Sequence, residues 1–326
     1  MTSRFLRPIL AALLLFALAA CGSSGSGGKD GSITLRIGVI GTGKGGELTG
    51  PVGYLNSKGK LLPELKSLGI TKIQVATFPN GPDLNQALAG GSLDLGIYGD
   101  TPALVARGKN LPTRLISQAA VGQDAGIVTR KGGPASLKDL QGKRIAVQVG
   151  SYIHRYLLGA LAEAGVKPKE IINMYTPAIV AALEKGDIDA GGLISANVEI
   201  ERGKGLPVID VASKDHPNLL GTSATVVTQN FLDKHPGVVK AWQAAQNAGG
   251  RQAKAQWDDY TAYLAKIGGY PPAITKATTL QSQVPDQPFT DTGLKLLDGT
   301  KTFLLQQKLI AKDFTIDSWV APGAKT

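Results

Sequence analysis

The chain of 326 residues has little of the chemistry on which many enzymes and metal proteins depend, because it contains one cysteine and three histidines. A single cysteine excludes an internal disulfide and a cysteine-rich metal site. The histidines, His154, His216 and His235, are scattered and lack the spacing of metal ligands. No Ser-His-Asp pattern or pair of catalytic carboxylates is evident. The sequence therefore predicts no metal, no cofactor and no enzymatic activity.

The N-terminus carries an apolar run from Ile9 to Leu18 that follows Arg4 and Arg7. This run is far shorter than the roughly 20 residues that span a bilayer, so residues 1–20 are predicted to be a cleaved signal peptide. Two alanines stand directly before Cys21, which is the arrangement of a lipoprotein processing site. Cys21 is therefore predicted to be lipidated.

Residues 21–32 are dominated by glycine and serine and cannot bury apolar surface. They are predicted to form a flexible tether, with the folded part beginning near Ile33. The chain is accordingly expected to be exported and held by its lipid at the outer face of the cytoplasmic membrane, at the cell surface or in a periplasm.

The formal net charge is +10, from 35 basic and 25 acidic residues. The basic residues are spread along the chain and form no run, and an exported location also argues against nucleic acid as a partner. A general attraction for anions is the inference that this charge supports.

Short apolar segments alternate with helical or loop segments over most of the chain, which predicts an α/β protein with parallel sheets covered on both faces. The predicted strands are 35–40, 72–78, 93–98, 114–120, 126–130, 144–149, 171–175, 190–194, 207–211 and 224–228. From Phe231 onward the pattern is mainly helical.

An internal repeat divides the chain. Residues 87–96 match residues 182–191 position by position, and residues 107–112 align without a gap to residues 202–207. Two copies of one strand-helix unit predict two similar lobes. Lobe I is predicted to comprise 33–120 and 224–326, and lobe II 121–223, with two chain crossings between them. The alternative is one continuous sheet with recurring helix-strand joints.

The loops that leave the predicted strands are rich in residues that begin helices, and ligands of open parallel sheets bind at those strand ends. Backbone amides at helix starts bind small anions without a buried counter-charge. The candidate ligand-binding residues are Thr42, Gly43, Lys44, Gly81, Pro82, Asp83, Gly99, Asp100, Thr101, Gly150, Ser151, Tyr152, His154, Ser195 and Asn197.

Several of these residues also have an ordinary structural interpretation. Lys44 either contacts an anion or is a solvated surface lysine. Asp100 either binds the ligand or caps its own helix, and capping is favoured. His154 is either a ligand donor or a bystander. Asp94 and Asp189 occupy matching repeat positions, where turn or capping roles are favoured over catalysis.

Three segments, 78–82, 93–102 and 150–154, resemble the aliphatic-sulfonate binding proteins, within the wider nitrate, taurine and sulfonate solute-binding group. Residues 263–269 and 308–312 resemble the closing helices of that family. The resemblance covers about Ile33 to Pro322. It departs at 193–197, where family members commonly carry an aromatic and an acidic residue and a small polar pocket wall is expected here.

The resemblance implies a type II periplasmic-binding-protein fold in which a small anionic solute is clamped between the lobes. It also implies an ABC permease in the cytoplasmic membrane as partner of a monomeric capture protein. The ligand remains open among an alkanesulfonate, taurine, a sulfate ester, nitrate and a pyrimidine precursor. The alternative is an exported enzyme of the same fold acting on a sulfonate, a sulfinate or a related small molecule.

Overall fold

The computed structural model describes residues 32–41 and 46–325. The predicted signal peptide, Cys21 and most of the tether lie outside the described residues, and so do the three candidate residues Thr42, Gly43 and Lys44. No helix in the described part of the chain combines the length and the hydropathy needed to cross a membrane.

Within the described residues, strands and helices alternate as the sequence predicts. The strands are β1 Ile33–Ile40, β2 Ile70–Phe78, β3 Leu95–Gly99, β4 Thr113–Ser117, β5 Val121–Gln123, β6 Ala125–Thr129, β7 Arg144–Val147, β8 Glu170–Asn173, β9 Ala190–Ile194, β10 Val208–Val211 and β11 Gly221–Thr228. The helices are α1 Gly50–Ser57, α2 Leu61–Leu65, α3 Gly81–Ala89, α4 Asp100–Gly108, α5 Tyr152–Glu163, α6 Thr176–Lys185, α7 Ser195–Gly203, α8 Ala212–Asp215, α9 Gln229–Lys234, α10 Val238–Ala255, α11 Trp257–Gly268, α12 Pro272–Thr278, α13 Asp291–Gln306 and α14 Ile316–Trp319. Every predicted strand overlaps an observed one, whereas β5 was not predicted.

The strands form two sheets of the same topology. The first has the order β2-β1-β3-β11-β4, with β5 paired to β11, and the second has the order β10-β6-β9-β7-β8. The expectation of purely parallel sheets is wrong, because β11 runs antiparallel to β3 and β4, and β6 runs antiparallel to β9 and β10. The reason is topological. Each of these strands follows directly on a passage of the chain from the other sheet, so it enters its own sheet from the opposite end.

Apolar side chains fill the space on both faces of the sheets. The core of the first sheet includes Trp242 of α10 and Trp319 of α14, both fully buried. In the second sheet, Ile145 and Val147 of β7 belong to one apolar cluster and Ala146, between them, belongs to another. Since neighbouring side chains of a strand point to opposite faces, both faces of this sheet are covered.

The internal repeat is visible as a repeated hydrogen-bond pattern. The Asp94 carboxylate accepts from the backbone N–H of Arg36 in β1 at 2.9 Å, and the Asp189 carboxylate accepts from the N–H of Arg144 in β7 at 3.0 Å. The backbone amide of each aspartate donates in return to the carbonyl of the same arginine. The turn role favoured for both aspartates is what the structure shows, because each ties its turn to the neighbouring strand.

Asp94 also receives two bonds from the Arg36 side chain, at 3.0 and 2.6 Å, and its own side chain is only 8% exposed. Asp94→Ala should therefore lower the free energy of unfolding by about 1–3 kcal/mol, because it leaves a strand amide without its acceptor. Asp317→Ala removes an ion pair with Lys325 whose carboxylate is 78% exposed, and should cost under about 1 kcal/mol. Urea denaturation of both variants measures the difference, and equal losses would contradict the structural role of Asp94.

Candidate functional site

A cavity of about 520 Å³ lies between the two sheets, at the ends of the strands where the sequence predicted a site. From the first sheet and its loops it is lined by Ile40, Thr49, Gly50, Gly81, Ile97, Tyr98, Gly99 and Pro102, and from the crossing segments by Ala119, Ala120, Gln123, Asp124 and Ser223. From the second sheet it is lined by Gln148–Ile153, Thr176 and Ile194–Ala196. The C-terminal helices add a further wall: Tyr260, Leu264, Ile267, Gly268, Tyr270, Thr275, Thr278, Thr279, Gln283 and Val284.

The structure brings part of the predicted set together. The predicted residues that line the cavity are Gly81, Gly99, Gly150, Ser151, Tyr152 and Ser195. The predicted residues that do not line it are Pro82, Asp83, Asp100, Thr101, His154 and Asn197. The members of the second group lie one to three residues beyond a lining residue, inside the helices that begin at the cavity.

Six helices begin at the cavity wall. Thr49 is the N-cap of α1, Gly81 begins α3, Gly99 is the N-cap of α4, Ser151 is the N-cap of α5, Thr176 begins α6 and Ser195 begins α7. The positive end of the helix dipole and the unpaired amides of a first turn both favour an anion at such a place. These helix starts can therefore favour an anion, although the described lining contains no lysine, arginine or histidine.

Some of the donors that the sequence suggested are already occupied. The Ser151 hydroxyl donates to the Gln148 carbonyl at 2.7 Å and accepts from the His154 amide at 3.2 Å. The Asp83 amide donates to the Asn80 side chain at 2.8 Å. These bonds shape the helix starts, so fewer amides than expected are free to face a solute.

Asp100 and Thr101 are buried away from the cavity. The Asp100 carboxylate is 0% exposed and accepts from the Thr101 amide, from the Thr222 amide at 3.1 Å and from the Thr300 hydroxyl at 3.2 Å. Burial raises the pKa of Asp100, while the positive charge of Arg155 opposes that rise. Asp100 thus joins the start of α4 to β11 and α13.

His154 and Asn197 also have partners inside the protein. The Nδ1 atom of His154 accepts from the Gly150 amide at 3.4 Å, which requires that nitrogen to be unprotonated. Burial lowers the pKa of His154. Asn197 accepts from the Tyr270 hydroxyl at 2.8 Å. His154 and Asn197 therefore help to hold α5 and α7 in place and do not line the cavity.

Sequence reasoning missed most of the aromatic wall. Tyr98, Tyr260 and Tyr270 line the cavity together with the predicted Tyr152. Among the described lining residues there is no lysine, arginine or histidine. The one carboxylate in that set, Asp124, accepts from the Ala125 amide at 2.9 Å and from Ser213.

A small group of polar side chains remains available to a solute. Thr49, Thr176 and Ser195 line the cavity, and no hydrogen bond joins their hydroxyls to other described residues. Gln123 Oε1 and Thr275 Oγ1 are buried without a partner in the described part of the chain. Buried polar atoms are normally paired, so these two positions suit polar groups of a bound molecule.

Contacts join the two halves around the cavity at two separate places. The Gln148 side chain donates to the Pro79 carbonyl at 3.0 Å, and Asn80 donates to the Tyr175 hydroxyl at 2.9 Å. Elsewhere the Tyr270 hydroxyl reaches Asn197 of α7. The cavity is thus enclosed by residues of both sheets.

Two sheets of this matching strand order around a central cavity define the periplasmic-binding-protein fold. The alkanesulfonate-binding protein SsuA from Xanthomonas axonopodis pv. citri, solved bound to MOPS, superposes with a TM-score of 0.71 and 24% identity, over 88% of this chain and 98% of that one. The desulfurization enzyme DSZB superposes with a TM-score of 0.67 and 19% identity, over 89% and 97% of the two chains. These likenesses establish the type II fold that the sequence predicted.

Sequence comparison gives the family. A family model described as NMT1/THI5 like matches residues 71–258, more than half of the chain. The taurine-binding periplasmic protein of Escherichia coli K12 is 30% identical over 255 residues, which cover 73% of this chain and 79% of that protein. The chain belongs to the NMT1/THI5-like family. Fold and family together make it a solute-binding protein, as the sequence analysis predicted.

The state of His154 gives a testable dependence on pH. Because the folded pKa lies below that of the unfolded chain, the contribution of His154 to stability is present above the unfolded value of about 6.5 and is lost as pH falls through the folded pKa. Between pH 7 and pH 5, His154→Gln should therefore show a shallower loss of unfolding free energy than wild type. Urea unfolding at several pH values measures both slopes, and identical slopes would rule out this buried neutral imidazole.

Proposed function

We propose that the chain is a lipid-anchored extracytoplasmic solute-binding component of an ABC importer. Its solute is an aliphatic sulfonate or a taurine-like compound held in the cavity between two lobes. The observation that carries this proposal is the meeting of six helix starts around a cavity whose described lining contains no basic side chain.

A sulfonate suits such a site because it stays ionised at ordinary pH and must exchange its water for several donors when it is enclosed. Helix-start amides and the hydroxyls of Thr49, Thr176 and Ser195 can supply those donors. Since the donors are neutral, no unpaired lysine has to be buried when the cavity is empty.

The cavity also favours a solute with a carbon body over a bare inorganic anion. Its volume of about 520 Å³ lies in the usual range of roughly 300–1,000 Å³ for small-molecule sites. Leu264, Ile267 and Val284 give one wall an apolar surface that nitrate or sulfate would leave unused. The unpartnered Gln123 Oε1 suits an N–H donor, which a taurine-like amine carries.

Capture between lobes is the second part of the proposal. We take lobe I as 33–120 with 224–326 and lobe II as 121–223, with the two chain crossings at β5 and at the first residues of β11, which pair with each other. Two crossings form a hinge on which the lobes can open and close over a solute. Contacts such as Tyr270 to Asn197 would then form on closure. The protein acts as a monomer that delivers its solute to a membrane permease.

Binding without turnover is favoured over catalysis, although DSZB shows that an enzyme can share this fold. Nucleophilic catalysis needs an activated cysteine, serine or similar group in the pocket. The only cysteine of the chain is Cys21, in the predicted lipidation site, and the described lining contains no histidine.

The solute can be identified by calorimetric titration of the purified chain with taurine, alkanesulfonates of increasing length, sulfate and nitrate. We expect the organic sulfonates to bind and the inorganic anions to bind more weakly or not at all. Ser195→Ala should cost about 1–2 kcal/mol of binding, roughly 5- to 30-fold in affinity, because it removes a free hydroxyl donor from the wall.

A matched pair of glycines tests the loop before α5. Gly150 has φ +82° and lies on the cavity, where an added Cβ would stand 3.4 Å from Pro82, while Gly132 has φ +64° and nothing within 4 Å. Both variants add a side chain at a glycine with positive φ, but only Gly150→Ala should weaken sulfonate binding. Equal sulfonate affinities for the two variants would show that the loop before α5 does not take part in binding.

Release of sulfite from any sulfonate would favour the enzyme alternative.

The anchor is tested separately through Cys21. In cells, the wild-type chain should remain with the membrane fraction and gain the mass of its lipid, whereas Cys21→Ser should be released in soluble form. Fractionation followed by mass spectrometry of the intact protein measures both. A Cys21→Ser chain that stays in the membrane fraction would contradict anchoring by this residue.

A further inference from the structure

A second cavity, of about 390 Å³, lies at the opposite end of the first sheet from the solute cavity. It is formed where α4 ends and β4 begins, and Arg107, Arg114, Gln229, Lys312 and Phe314 are among its lining residues. The other end of β4 leads to Ala119 and Ala120, which line the solute cavity. The two cavities are therefore separated by the length of the strand.

This cavity, which we call the basic pocket, is lined by three basic side chains. Arg107, Arg114 and Lys312 line it together with a single acidic residue of the described chain, Asp313. The Asp313 carboxylate is paired with Lys301 at 2.9 Å, so it does not neutralise the other three side chains. The solute cavity differs from the basic pocket, because its described lining contains no lysine, arginine or histidine.

The cationic groups of the basic pocket are incompletely paired. Within the described residues, the Arg107 guanidinium makes no hydrogen bond or ion pair, and its Cζ lies 5.9 Å from the centre of the Phe314 ring. Arg114 uses Nε for Gln229 and Nη1 for the Ser318 carbonyl, both at 2.7 Å, which leaves its Nη2 group free. Burial and the nearby charge of Arg114 both lower the pKa of Arg107.

Two guanidinium groups that repel each other in a concave site lower their energy when an anion lies between them. The planar donors of arginine match the oxygens of phosphate and sulfate, and stacking on an aromatic ring holds a guanidinium in place while its N–H groups remain available. The arrangement of Arg107 on Phe314 beside Arg114 has these features.

We propose that the basic pocket binds a tetrahedral oxyanion of the phosphate class, independently of the solute cavity. The phosphate group has two sources outside the cytoplasm, the free ion and the headgroup of an anionic lipid. Because β1, β3 and β4 run parallel, β1 begins at the same edge of the sheet as β4. The first strand of the described chain therefore begins at the edge of the sheet that carries the basic pocket.

The first experiment titrates inorganic phosphate into the purified chain and into Arg107→Gln, with Arg202→Gln as the matched control. Arg202 is an exposed arginine of α7, paired with Glu199 and far from the pocket in the fold. Wild type and Arg202→Gln should bind phosphate equally, and Arg107→Gln should bind at least about tenfold more weakly. Binding should also weaken as salt is added.

The second experiment separates the two sources by sedimentation of Cys21→Ser chains with vesicles of phosphatidylglycerol or of phosphatidylcholine. Binding to phosphatidylglycerol that is lost in Arg107→Gln identifies the lipid headgroup. Phosphate binding without vesicle binding identifies the free ion. The proposal is overturned if neither phosphate nor phosphatidylglycerol binds in a way that depends on Arg107.

Circular dichroism and thermal unfolding check that each variant is folded. If Arg107→Gln does not fold, Arg107→Lys keeps the charge but loses the planar donors, and it should bind phosphate with an affinity between those of wild type and a chain that lacks the site. If Arg107→Lys binds phosphate with the affinity of wild type, the planar donors of Arg107 do not hold the phosphate. Unchanged sulfonate binding in the same variant would leave the proposed function unaffected.

Discussion

The junction of the two sheets is organised around one buried carboxyl group, that of Asp100. It accepts hydrogen bonds from Thr222 in β11 and from Thr300 in α13, while Arg155 of α5 lies nearby and donates to the carbonyls of Asn218 and Leu220. A buried carboxylate is tolerated only when it is compensated in this way, and loss of one partner leaves the other charge uncompensated. The first turn of α4, the strand β11 and α13 therefore meet at this carboxylate, close to α5, and the solute cavity lies beside that junction.

A second constraint acts on the helix starts and explains why some of their amides are not available to a solute. A helix start that faces a cavity must keep its geometry when the cavity is empty, so some of its amides are paired internally, as Asp83 is with Asn80 and His154 is with Ser151. The remaining amides and the free hydroxyls of Thr176 and Ser195 then face the cavity. Rigid donors of this kind lose little entropy when they bind, which favours selection by shape and hydrogen bonding over nonspecific attraction.

Much of this organisation could be predicted from sequence, because it is local or repeated. Strand-loop-helix joints placed Gly81, Gly99 and Gly150 at the cavity, and the duplicated segments indicated two sheets of one design. Thr176 is followed by Pro177, as Thr101 is followed by Pro102. The rule that Thr-Pro marks a helix start could therefore have predicted Thr176 as a cavity residue as well. Tyr270 could not be predicted in this way, because the packing of α12 against α7 brings it to the cavity from a distant part of the chain, and such packing has no local sequence signal. A capping pattern also does not show how deeply a residue is buried. Asp100 is fully buried and does not line the cavity.

In the proposed function, charge outside the cavity and neutral groups inside it have different roles. The chain has a net charge of +10, yet the described lining of the solute cavity contains no base. Positive charge outside the cavity raises the local concentration of anions and speeds their arrival, an effect that salt screens. Affinity then depends on neutral donors and on an apolar wall, which salt screens far less. An anion held in this way leaves no buried cation behind when the lobes open, so release requires only that water regain access to the donors. A transport protein that must both capture and surrender its solute benefits from that balance, because tight ion pairing would slow the second step.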